Sequence, residues 1–263
     1  MMRGAVVGYL AFLVILPLLA LVQAGLGDGP GVVWKAVSAP LARHAIGLSL
    51  WTAALATLIN AVAGTATAWV LVRFDFPGRR LLSALIDLPF AIPTLVTGVT
   101  LVLLFAPTRP LGAWLGGHGW TVLYAPTAIV LALTFVTVPF VVRAVEPVLR
   151  ELDPAEEEAA YTLGARPFVV WRRVVLPKIA PAVTAGGLQA FSRCLAEFGS
   201  IVVVAGNIPF RTLTGPVYVF GEVESGRPDV AAAVSVALLA LALSLSYTAR
   251  ALHRRSTAGR RHV

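Results

Sequence analysis

Apolar residues in this chain gather into six stretches of bilayer length, separated by short polar segments. A helix needs about 20 predominantly apolar residues to cross a bilayer. Ala5–Ala24, Ala45–Val72, Leu82–Phe105, Ala125–Val145, Pro181–Gly206 and Val230–Ala249 all qualify. The second is long enough to tilt or to protrude. The third carries Pro89 and Pro93, which predict a kink or a broken turn. Gly25–Pro40 and Ala106–Tyr124 read as connectors on the outer side, with Gly112–Gly119 as a flexible turn. A short basic start, an apolar core and Val22-Gln23-Ala24 also allow a secretory leader, but the core is long for one, and a retained anchor is preferred. The pattern predicts an all-α membrane protein of six transmembrane helices. Its parts are an anchor over 1–27, a membrane domain over 45–250 and a basic tail over 251–263.

One polar segment interrupts the apolar pattern in a structured way. Asp153-Pro154-Ala155-Glu156 reads as a helix start, with Asp153 as cap, Pro154 at the first helical position and Glu156 three residues after the cap. Glu156, Glu157 and Glu158 place negative charge at the positive end of the helix dipole. Ala159 and Ala160 are small enough for another surface to approach closely. Gly164 falls where a helix would end in a left-handed turn. A second short helix is expected from Pro167 to just before Pro177, with Arg172 and Arg173 in its last turns. Phe168, Trp171 and Val175 recur at helical spacing on one apolar face. The expectation is a compact helix–turn–helix over 146–180 that projects from the membrane.

Composition agrees with the span pattern. Hydrophobic residues make up 58% of the 263 and charged residues 13%, where a soluble domain has about a quarter charged. A water-soluble enzyme is therefore a poor fit. The net charge of +8 might suggest nucleic acid, but its distribution argues otherwise. With both termini assigned to the cytoplasm, Lys35, Arg43, Arg109, Arg211 and Arg227 fall outside and Arg193 falls within a span. The other fifteen of the 21 Lys and Arg residues fall inside. This is the positive-inside asymmetry, and it accounts for the basic character through topology and contact with anionic lipid. No nucleic-acid partner is expected. Cys194 is alone, so no internal disulfide or cysteine-based metal cluster is expected, and it reads as a small buried hydrophobe. The sequence has no phosphate-loop motif, no H-E-x-x-H zinc motif and no G-x-S-x-G elbow. Neither a catalytic nor a metal residue is assigned.

Ionisable residues at membrane depth usually face a cavity or a partner. Arg193 and Glu197 are four apart, so they can meet on one helix face. They read either as a structural ion pair or as part of a translocation path, with Arg193 near a passing oxyanion. Asp87 lies toward the cytoplasmic end of its span and reads first as a snorkelling side chain, second as a path residue. Ser200 and the Asn207-Ile208-Pro209 turn could offer backbone N–H groups to a tetrahedral oxyanion.

The polar cassette EAAYTLGARPFVVWRRVVLP, Glu158 to Pro177, resembles the EAA loop of ABC-importer permeases. The match rests on Glu158, Ala159, Ala160, Gly164, Val174, Leu176 and Pro177, with Val174 where the family often has Ile. The chain as a whole resembles the type I permease fold. The segments LLSALIDLPFAIPTLVTGVTL (81–101), FVTVPFVVRAVEPVLRELDPAEEEAAYTLGA (135–165) and AEFGSIVVVAGNIPFRT (196–212) are similar to the T-type permease of sulfate/thiosulfate importers. Leu104-Phe105-Ala106-Pro107 departs from the Leu-Tyr-Ala-Pro often found there. Molybdate permeases share the Ala-Glu-Phe-Gly and Ala-Gly-Asn-Ile-Pro pieces, so molybdate or tungstate is the alternative cargo. An ATP-independent secondary transporter is a more distant rival, and an intramembrane enzyme lacks a paired set of groups. The resemblance implies two ATPase subunits that bind ATP and Mg, with no cofactor in this chain itself. It also implies a second permease of W type, an extracytoplasmic sulfate-binding protein and a place in the bacterial inner membrane.

Overall fold

Three long helices pack against one another through small residues and form the centre of the molecule. They are seen in a computed structural model that describes residues 2–27 and 29–258. In chain order the elements are α1 Met2–Leu26, α2 Pro30–Ser38, α3 Pro40–Arg73, α4 Arg79–Ala91, α5 Thr94–Phe105, α6 Pro110–Gly117 and α7 Pro126–Glu151. Then come α8 Pro154–Thr162, α9 Pro167–Val170, α10 Leu176–Leu195, α11 Gly199–Val204, α12 Gly215–Glu224 and α13 Pro228–Ala258. No strand occurs among the described residues.

The central three are α3, α7 and α10. The buried side of α3 carries Ala45, Ser49, Ala53, Ala56, Asn60, Gly64 and Ala68, mostly one turn apart. In lipid, helices gain little from hydrophobicity alone, and close backbone approach through small residues is what holds them. Gly64 sits so near α7 that an added Cβ would lie 3.0 Å from Cβ of Val141. Gly186 of α10 approaches the other flank of the same turn, where its Cβ would meet Cβ of Ala144 at 2.8 Å. One polar link crosses this packing. The Asn60 amide donates to the Thr134 carbonyl at 3.0 Å and to Oγ1 of Thr137 at 2.8 Å. Thr137 in turn lies 3.6 Å from Sγ of the buried Cys194. Cys194 is thus packed as a small hydrophobe, as its surroundings in the sequence suggested.

Several expectations need correction. By length and composition Pro40–Arg73, Pro126–Glu151 and Pro167–Leu195 can each cross a membrane as one helix, and two further stretches are bent pairs. The sixth expected span belongs to α13, whose apolar part among the described residues is the shorter Pro228–Ser244. The third breaks between α4 and α5 with a bend of 115°. Pro93 accounts for it, since the residue before a proline avoids the helical region, and Ile92 is extended at φ −88°, ψ 127°. The fifth was expected over Pro181–Gly206. Its helix instead ends at Leu195, and a break over 196–198 precedes α11.

The two connectors expected on the outer side also contain helices, α2 and α6, each begun by a proline. Gly112–Gly119 is therefore not a flexible turn for most of its length. Gly112 lies against the carbonyls of Phe105 and Ala106, where no side chain fits. The N-terminal helix α1 packs along α13. Gly25 there leaves only 2.9 Å between an added Cβ and the Ala232 carbonyl. Of the tail expected over 251–263, α13 continues to Ala258, and 259–263 lie outside the described residues.

Candidate functional site

The polar cassette forms as expected at its start. The Asp153 carboxylate accepts from the Ala155 N–H at 2.9 Å, and Pro154 occupies the first turn of α8. Gly164 terminates it at φ +79°, the left-handed region that favours glycine. The Ala165 N–H reaches back to the Ala160 carbonyl at 3.1 Å, which satisfies a helix-end acceptor.

Past the turn, the expected second short helix does not end before Pro177. The chain runs from α9 through a π turn over Trp171–Val175 straight into α10. Proline has no N–H to give, and its ring crowds the carbonyl four residues back. The wider turn absorbs this, with the Leu176 N–H bonding the Trp171 carbonyl. The second half of the cassette is thus continuous with α10.

The outer surface of the cassette carries exposed apolar side chains among charged ones. Leu163 is 88% exposed and Phe168 67%, with Tyr161 beside them also open. Phe168 was expected on one apolar face with Trp171 and Val175. Val175 and Val170 are buried, while Phe168 is open and stacks on Trp171 with ring centroids 6.4 Å apart. Of the motif residues, Glu158, Ala159 and Gly164 are exposed, and Ala160, Val174, Leu176 and Pro177 are half-buried. Leu163 was missed by sequence reasoning. The available signal was a large apolar residue set directly before a helix-ending glycine.

The three glutamates of α8 divide in their roles. Glu157 pairs with Arg73 at the end of α3, and Glu156 pairs with Lys178 in the first turn of α10. Glu158 has no ion pair among the described residues. The cassette is therefore strapped to two of the three central helices, and Glu158 stays open on its surface.

The charges at membrane depth form two separate groups. Arg143 of α7 grips Asp87 of α4 with two hydrogen bonds, Nε to Oδ1 at 2.7 Å and Nη2 to Oδ2 at 2.6 Å. Its Nη2 also donates to the Ser83 carbonyl at 2.9 Å. Glu146 bridges Arg143 and Arg150. Asp87 is thus a clamp between α4 and α7, with Arg143 the partner that sequence reasoning did not supply.

The second group is Arg193 with Glu197, separated by 2.7 Å. The two do not share one helix face, since Glu197 lies in the break after α10. Glu197 is 1% exposed, and its Oε1 accepts from both N–H and Oγ of Ser200 at 2.9 Å. One carboxylate therefore neutralises an arginine and fixes the start of α11. The Ser200 N–H is consumed by this bond and is not available to an oxyanion. The Ile208 N–H is likewise taken, by Oγ1 of Thr212 at 3.0 Å. Asn207 sits at the far end of α11 with φ +51°, and its amide donates to the Val202 carbonyl at 3.3 Å. Arg193, Glu197 and Ser200 come together; Asp87 and Asn207 do not join them.

This group abuts the broken span. An added Cβ on Gly98 of α5 would lie 2.8 Å from the Ser200 carbonyl, and Gly199 is pressed against Thr94. The bend of α4–α5 and the break before α11 therefore meet at glycine contacts beside a partly exposed arginine. The arrangement places a charge-neutral pair, with one partly exposed guanidinium, where the two broken helices meet.

Residues 60–257 match the family described as binding-protein-dependent transport system inner membrane component. The chain is 41% identical over 237 residues to a probable sulfate transport system permease protein of Nephroselmis olivacea, covering 90% of this chain and 84% of that one. It is 39% identical over 255 residues to the sulfate transport system permease protein CysT of Escherichia coli K12, covering 97% and 91%. A chain in the crystal structure of a bacterial alginate ABC transporter, in complex with an alginate-bound periplasmic protein, has the same fold. It superimposes with a TM-score of 0.80 at 19% identity, over 98% of this chain and 93% of that chain.

Proposed function

The chain belongs to the family of binding-protein-dependent transport system inner membrane components, and we propose that it is the membrane-spanning permease subunit of an ATP-driven sulfate importer. The observation that carries this reading is the cassette. It offers Leu163, Phe168 and Tyr161 to a partner and is continuous with α10. The sequence itself has no phosphate-loop motif. ATP and Mg would then be bound by separate ATPase subunits, two per complex, each seated on such a cassette. Closure of the ATPase pair would push the cassette and switch the cavity from outward to inward.

The finer parts of the proposal extend this. A second permease of W type would complete the pathway, and an extracytoplasmic binding protein would deliver sulfate or thiosulfate. Six crossings with both termini in the cytoplasm of a bacterial inner membrane agree with the charge asymmetry. Arg193 is the proposed anion contact along the path, held in place by Glu197, with Ser200 fixed behind them. Asp87 and Asn207 shape neighbouring helices in this reading and do not touch the cargo.

The test is uptake of labelled sulfate and labelled molybdate in a strain lacking this chain, with and without the gene restored. Restoration of sulfate uptake, competed by thiosulfate, is expected. Restoration of molybdate uptake alone would replace the cargo, and uptake that needs no ATPase partner would overturn the mechanism.

A further inference from the structure

The turn between α3 and α4 borders an open cavity of about 920 Å³ against the last turns of α7. Its polar lining comes from Asp75, Arg79, Arg80, Ser83, Glu146 and Arg150. Three arginines face two carboxylates across this lining. Arg150 shares Glu146 with Arg143, and Arg79 pairs with an Asp75 that is almost fully exposed to solvent. Arg80 is exposed and has no ion pair among the described residues. The cavity is therefore positive, and its guanidinium groups suit the oxygens of a phosphate.

A second feature begins at the lip of this cavity. Leu81 lines it, and Leu81, Leu85 and Leu88 continue along α4 at i, i+4 and i+7. All three are exposed, so this stripe is covered by nothing in the chain itself. The level of the membrane surface is marked close by. Trp69 of α3 lies under the Arg73 guanidinium, 5.3 Å from ring centroid to Cζ, and Trp is enriched at the headgroup level. Basic pockets between membrane helices on the cytoplasmic side take acidic headgroups. A free phosphate would use the arginines and leave the leucine stripe without a role.

We propose that this cavity holds the phosphate headgroup of an anionic phospholipid, with an acyl chain lying along Leu81, Leu85 and Leu88. The inference needs only that the chain is embedded in a bilayer, so it does not depend on which anion is transported. Because the lipid would bridge α4 to the end of α7, next to the Asp87–Arg143 clamp, it would steady the cytoplasmic limb of the broken span.

The experiment uses the whole transporter, purified and placed in nanodiscs of phosphatidylcholine with or without phosphatidylglycerol. Native mass spectrometry after release counts the retained lipids. Wild type should keep phosphatidylglycerol in preference to phosphatidylcholine. Arg79→Gln with Arg80→Gln should reduce the retained fraction at least tenfold, and Arg80→Lys should keep most of it. Equal retention by wild type and the double glutamine variant would overturn the proposal. So would displacement of the lipid by millimolar inorganic phosphate or sulfate, which would indicate a soluble-anion site. A Leu85→Cys variant that cross-links to the second permease subunit would also overturn it, by showing that protein covers the stripe. The readout is lipid mass and not transport, so a failure of the sulfate assignment leaves it intact.

Discussion

Arg73 in the last turn of α3 forms an ion pair with Glu157 in the first turn of α8, across 84 residues of chain. It joins a central membrane helix to the cassette that is exposed for docking. Both side chains are largely shielded, at 21% and 15% exposure. Arg73→Glu should therefore loosen the cassette from α3, because it sets two carboxylates against each other at a shielded position. In proteoliposomes of the whole complex, ATP hydrolysis should persist while sulfate uptake falls severalfold. Glu157→Arg added to Arg73→Glu should restore uptake. If the double variant transports no better than either single one, the pair does not act as a strut.

The exposed apolar surface of the cassette gives a separate expectation. Leu163→Asp or Phe168→Asp should leave the permease in the membrane, since neither side chain supports the core. Loss of one buried apolar anchor from an interface costs about 2 kcal/mol or more. Co-purification of the ATPase subunit through a tag on this chain should accordingly drop by at least tenfold. Undiminished co-purification would place the docking surface elsewhere.

Arg193 and Glu197 call for a paired substitution. Arg193→Ala alone would strand a carboxylate that is 1% exposed, and breaking such a buried pair costs about 3–5 kcal/mol. Arg193→Leu with Glu197→Gln removes both charges, and the amide oxygen can still accept from Ser200. The double variant should assemble with its partners and lose sulfate uptake. Uptake at the wild-type level would assign the pair a purely structural role.

Asn60 is the polar crosslink of the central helices. Asn60→Leu removes two interhelical hydrogen bonds and adds bulk to a fully buried position. Each such bond in a membrane bundle contributes about 0.6 kcal/mol. The thermal midpoint of the detergent-solubilised complex should fall by several degrees. Asn60→Gln, longer by one methylene, should fall less if hydrogen bonding dominates and more if packing dominates.

Much of this protein could be read along the chain, and the reasons are local. Asp153, Pro154 and Gly164 announced the ends of α8 because capping, a fixed φ and a left-handed turn depend on adjacent residues only. Pro93 announced the break between α4 and α5 for the same reason. Helical spacing put Phe168, Trp171 and Val175 on one face without saying how much of it is covered, and Phe168 is left open. The partner of Asp87 was not legible either, since Arg143 is 56 residues away and was counted only as a topological charge.

The sequence by itself determined the class of molecule. Apolar runs, basic residues gathered on one side and the EAA cassette are properties of composition and short spacing, and lipid solvent leaves few alternatives to helices. Tertiary structure alone decided what each charge does. Glu157 reaches Arg73 and Asp87 clamps to Arg143 because the packing of α4, α7 and α3 and the placement of α8 carry distant segments to within hydrogen-bond reach. A buried charge takes whichever partner the packing brings to it, and that choice is not written in its neighbours along the chain.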